Sequence, residues 1–186
     1  MKQVLFIQGG GKGVHANWDL RLVESLRQAL GPEYEVRYPR MPNESDPKFA
    51  SWQRAIDKEI GALRSPAALV GHSVGGTMLI NALAEHPPSL DLAAIVLIAA
   101  PFVGPGGWES QDVPARSNLA ARLPSDVPLL LYHGDQDATA PIAHLELYAN
   151  ALPHAHVRRL AGRDHQLNND LTEVADDLRD LLSTRS

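Results

Sequence analysis

Cysteine is absent from the 186 residues. That absence removes disulfide frameworks, zinc-thiolate sites, iron–sulfur clusters and a Cys nucleophile from consideration. Positive charge is scarce: 17 Lys plus Arg stand against 22 Asp plus Glu, a formal charge of −5, and no basic run offsets it. Such a balance does not build a surface that tracks phosphates, so a nucleic-acid partner is not expected. Long apolar runs are missing too. The longest, residues 92–100 and 127–132, fall well short of the about 20 residues that span a bilayer, so no membrane crossing is expected. Near the N-terminus a single Lys2 precedes a short apolar run, Val4 to Ile7, and then glycines. This is too short for a secretory signal, and a cytoplasmic location follows as the expectation.

What the chain does contain is ordinary for a globular protein: 44% hydrophobic and 21% charged residues, enough to bury a core without staples. One domain over residues 1–186 is expected. Short apolar, β-branched runs alternate with longer segments of helical period, the pattern of repeated βαβ units. Strands are predicted over 3–8, 34–38, 67–71, 92–99, 128–133 and 156–160, and helices over 18–30, 48–63, 74–86, 142–152 and 171–182. Asn17 is placed to cap the first helix, with Gly31 and Pro32 stopping it, and Asp170 to cap the last. The fold class is α/β, a six-stranded and mainly parallel sheet with helices on both faces. Ligands in such sheets bind beyond the carboxyl ends of the strands. Two longer loops, 39–47 and 101–116, both follow strands.

The strongest local motif is Gly71-His72-Ser73-Val74-Gly75-Gly76, set between an apolar strand and a helical pattern. A strand-to-helix turn this tight holds the serine in a strained conformation with its hydroxyl above the sheet, and flanking glycines keep side chains from colliding. A serine hydroxyl needs a base, and the base an orienting carboxylate. Both follow in order. Strand 128–133 runs into Gly134-Asp135-Gln136-Asp137, and strand 156–160 runs into Gly162-Arg163-Asp164-His165. An oxyanion hole requires backbone N–H groups near the developing charge. The glycine run after the first strand, centred on Gly10 and Gly11, and the Val74 N–H at a helix start are the candidates. Neither phosphate-binding glycine pattern fits that run, since Phe6 and Val14 stand where glycines would be required.

With these parts together the chain resembles the α/β-hydrolases, and more narrowly the small lidless serine hydrolases of the retinoblastoma-binding-protein type. The resemblance implies a minimal α/β-hydrolase fold without a cap domain, and it makes the second Asp of G-D-x-D, Asp137, the acid, with Asp135 structuring the loop. It implies catalysis by Ser73, His165 and Asp137 through an acyl-enzyme, on a small-molecule ester, with no cofactor or metal. His15, Phe102 and Trp108 are candidate substrate-binding residues. His72 is expected to pack beneath the turn, His133 to bond locally, and His86, His144, His154 and His156 to lie at the surface or at helix ends. A monomer or weak homodimer is expected. The same residues leave room for a ligand-binding module without turnover, and for C–C hydrolysis, cyanohydrin cleavage or perhydrolysis.

Overall fold

The computed structural model describes residues 1–184. Six strands form one sheet: β1 (Lys2–Ile7), β2 (Tyr34–Arg37), β3 (Ala67–His72), β4 (Leu92–Ile98), β5 (Leu129–Gly134) and β6 (His156–Leu160). Their order is β2-β1-β3-β4-β5-β6, and every neighbouring pair is parallel. The helices are α1 (Asp19–Leu30), α2 (Phe49–Gly61), α3 (Val74–Glu85), α4 (Ala143–Ala151) and α5 (Thr172–Thr184).

Alternation along the strands sorts the side chains into two cores. Val4, Phe6, Ala68 and Val70 face one side, where Leu22, Leu26, Leu178 and Leu182 of α1 and α5 cover them. Leu5, Ile7, Ala67 and Leu69 face the other, against Trp52 and Ile56 of α2, Leu79 and Leu83 of α3, and Leu145 and Tyr148 of α4. The central strands are therefore apolar at consecutive positions, as a sheet covered on both faces requires. β6, at the edge, is exposed over four of its five residues.

Strand order reverses between β1 and β3, which opens a crevice at their carboxyl ends. Residues 9–13 and Ser73 lie there. The loop between β2 and α2 is pinned over it: Gln8 Oε1 accepts from the Met41 N–H at 2.9 Å, and Trp52 Nε1 donates to the Pro42 carbonyl at 2.7 Å. Between β4 and β5 only a short 3₁₀ turn, Ala120–Arg122, interrupts the loop, so among the described residues no helical cap covers the strand ends.

One local expectation is corrected. Asn17 does not cap α1: a π-helical turn, Val14–Trp18, precedes the helix, and Asn17 Nδ2 turns back to the Gly13 carbonyl at 2.9 Å. His144 lies at a helix end, the start of α4, where it is buried and its Nδ1 accepts the Phe102 N–H at 2.8 Å. Among the described residues no helix is long and apolar enough to cross a membrane.

Candidate active site

Ser73 stands between β3 and α3 with φ 52° and ψ −130°. A non-glycine residue in that region is strained, and the surroundings must over-determine it. They do so from both sides. The Ser73 N–H donates to the Ile98 carbonyl at 2.8 Å, and its carbonyl accepts from the Gly76 and Thr77 N–H groups at 2.9 and 3.2 Å. Gly75 packs directly against the end of β1, where an added Cβ would lie 2.0 Å from the Gln8 carbonyl oxygen. The serine side chain makes no helix-capping bond. Its hydroxyl lies 2.9 Å from His165 Nε2 instead.

His165 comes from the loop between β6 and α5, and its Nδ1 lies 2.7 Å from Asp137 Oδ2. A carboxylate only accepts, so Nδ1 carries the proton and Nε2 is left to accept the Ser73 hydroxyl. Asp137, in the loop after β5, is surrounded by donors. Its Oδ1 accepts the Thr139 and Ala140 N–H groups, each at 2.8 Å, and its Oδ2 also meets His133 Nε2 at 3.2 Å. Burial alone would push this carboxyl up, but the hydrogen bonds from His133, His165 and Ala140 outweigh it and hold Asp137 well below the usual carboxylate range. It is an anion throughout the neutral pH range. Asp135 has a separate task, its Oδ1 accepting the Gly162 N–H at 2.8 Å and so tying the β5 loop to the loop that carries His165.

The glycine loop is organised by two acids that sequence reasoning missed. Glu44 accepts the Gly13 and His15 N–H groups at 3.1 Å each and the Gln8 amide at 2.8 Å. Burial opposes its charge, but these bonds prevail and lower its pKa. Asp19 accepts the Gly9 N–H at 2.6 Å. Nothing local marks either residue, since Glu44 and Asp19 act on partners brought close only by the fold. The Gly11 N–H is taken by the Glu44 carbonyl at 2.6 Å, so it is not free to meet an oxyanion. Among the hydrogen bonds of the described residues, the Gly10 and Val74 N–H groups have no internal acceptor.

A cavity of about 340 Å³ opens over Ser73 and His165, bordered by Gly10, Trp18, Thr139 and Gln166. A second, of about 240 Å³ and mostly apolar, lies on the far side of Val74, bordered by Pro47, Met78, Pro101, Trp108 and Val113. Trp108 thus borders the neighbouring cavity. Phe102 borders neither and packs edge-on against Tyr148 at 5.1 Å. His15 is also turned away, its ring stacked on Tyr38 at 4.2 Å.

The fold has relatives. Among solved structures the chain is similar to a meta-cleavage product hydrolase from Pseudomonas fluorescens (TM-score 0.75, 18% identity, covering 100% of this chain and 92% of that one). It is similar to a monoacylglycerol lipase from Paleococcus ferrophilus (TM-score 0.69, 17% identity, 97% and 94% covered). A third is the esterase domain of a Rhodothermus marinus protein (TM-score 0.66, 24% identity, 95% and 84% covered). No curated protein shows a significant match to the sequence. The signature of the alpha/beta hydrolase family matches residues 4–185, nearly the whole length, and the chain belongs to that family.

Proposed function

We propose that this hydrolase is a serine esterase whose nucleophile is Ser73, with His165 as base and Asp137 as its orienting acid. The observation that carries the reading is the unbroken relay from Ser73 Oγ to His165 at 2.9 Å and from His165 to Asp137 at 2.7 Å, assembled from three separate loops. Ser73 attacks the ester carbonyl as His165 takes its proton, and the oxyanion that forms meets the Gly10 and Val74 N–H groups. His165 returns the proton to the departing alcohol. It then activates water, which releases the acid and regenerates the serine. No step requires a cofactor.

His165 must reach the leaving oxygen, so the alcohol part of the ester lies on the His165 side, in the cavity bordered by Trp18, Thr139 and Gln166. The acyl part then passes over Val74 into the apolar cavity of about 240 Å³ beside Met78 and Trp108. Its size suits short acyl chains. The uncovered strand ends support a place among the small lidless hydrolases of the retinoblastoma-binding-protein type.

A fluorophosphonate probe tests the reading directly. The folded protein is expected to be labelled once, on Ser73, and Ser73→Ala is expected to abolish both labelling and turnover of p-nitrophenyl acetate. Labelling that persists in the variant would overturn the assignment. A panel that pairs esters with C–C bond substrates then distinguishes the two chemistries that one relay serves.

A further inference from the structure

The relay uses one buried histidine, but a second lies beneath it with a hydrogen-bond pattern that fixes its charge. His72, the last residue of β3, is 1% exposed. Its Nδ1 is 3.0 Å from both carboxylate oxygens of Asp19, which is 0% exposed. Its Nε2 is 2.9 Å from the carbonyl oxygen of His165. A carbonyl oxygen has no proton to give. Neutral imidazole has one N–H and leaves one of these two contacts unmade, whereas imidazolium has two and makes both. The proton of the pair could instead reside on Asp19, but Asp19 Oδ2 already accepts the Gly9 N–H at 2.6 Å and both its oxygens stand 3.0 Å from Nδ1, the pattern of a carboxylate accepting from a ring N–H.

We infer that His72 is a standing imidazolium, and that with Asp19 it forms a positioning pair that braces both sides of the site. One arm runs through Asp19 to Gly9, the residue before the Gly10 oxyanion donor. The other runs to the main chain of His165. The brace therefore sets the distance between the oxyanion loop and the base, while touching no reacting atom itself. The groups that face His72 are Asp19 from α1, Asp137 from the loop after β5, and the His165 ring, whose centroid is 5.0 Å away. Tyr38 faces Asp19 from beyond β2; burial first, then the charges of Asp19 and Glu44, keep its hydroxyl neutral. For His72 itself burial opposes the charge, but the attraction and hydrogen bond of Asp19 prevail and raise its pKa. Alkali must eventually strip the ring of one proton. One arm of the brace is then lost, and turnover falls on the alkaline side for a reason unconnected with Ser73 or His165.

The positioning role rests on the esterase reading; the protonation state does not, and the experiment separates them. In histidine-labelled protein, nitrogen NMR is expected to show His72 with both ring nitrogens protonated at about pH 8, where an ordinary histidine is neutral. Nitrogen shifts of a neutral ring there would overturn the inference even if the protein is an efficient esterase. Asp19→Asn is expected to lower kcat about ten-fold or more with KM little changed, and to move the alkaline limb of the kcat profile to lower pH. A profile superimposable on that of the parent protein would sink the positioning role. The double variant Asp19→Asn, His72→Gln, which replaces the ion pair by neutral amides, is expected to lose the alkaline limb altogether. If it keeps the limb, the limb does not belong to His72.

Discussion

Asp137 shows how much of this site is built from hydrogen bonds rather than charge alone. Four donors converge on its two oxygens, from Thr139, Ala140, His133 and His165. Asp137→Asn keeps the size but puts an NH₂ group where two of those donors point, and one of them is His165 Nδ1. The ring must then flip its tautomer to avoid a donor facing a donor, and Nε2 no longer accepts from Ser73. In Ser-His-Asp triads this change costs about 10⁴-fold in kcat, and a loss of that order is expected here in initial-rate assays, with thermal unfolding little altered. Asp135→Asn, which can still accept from Gly162, is expected to leave most of the activity. At this scale the sequence showed a serine, an acid and a histidine, each after a strand and in that order, whereas the choice of Asp137 over Asp135 came from the family resemblance. His133 bonds locally, to Ala140 and Asp137 in the loop that follows its own strand, as expected, but Asp19 and Glu44 were not legible. Their partners lie on other elements, and an acid among polar neighbours gives no sign that the fold will bury it.

At the scale of elements, the turn into α3 is the tightest joint in the molecule. Gly75→Ala would push a methyl group to 2.0 Å from the Gln8 carbonyl oxygen, and neither β1 nor the helix has slack to yield. A loss of about 3 kcal/mol or more is expected by urea denaturation. Gly61, the last residue of α2, is the matched contrast, since nothing lies within 4 Å of an added Cβ and its φ is not positive. Gly61→Ala is expected to gain about 0.4–1 kcal/mol by the same measurement, through a less disordered unfolded chain. Most elements were readable from the sequence because periodicity and burial agree: the apolar runs became strands covered on both faces, and the helix stripes face the two cores. The exceptions are set by side-chain to main-chain hydrogen bonds, one long-range and one local, rather than by periodicity. The π-helical turn before α1 forms because Glu44 takes the Gly13 and His15 N–H groups. The left-handed stretch at Leu167, Asn168 and Asn169 follows His165 and is held by Asp164 Oδ1 on the Gln166 and Asn168 N–H groups.

For the molecule as a whole, the placement of the site on the sheet sets its order of failure. Ser73 follows β3, at the centre, whereas His165 follows β6, the exposed edge strand that pairs only with β5. Edge elements with few buried apolar contacts open at lower free energy than the core. In a urea titration, turnover is therefore expected to vanish before far-UV circular dichroism changes, and fluorophosphonate labelling to vanish with it. Coincident loss of activity and helical signal would mean that β6 is as firmly held as the centre. The same placement acts during synthesis. Ser73 precedes His165 by 92 residues, so a ribosome working at about 5–20 residues per second delivers Ser73 roughly 5 to 18 s ahead of His165. On the proposed esterase reading, the growing chain carries throughout that interval a serine without its base, and chemical competence waits until β6 has docked.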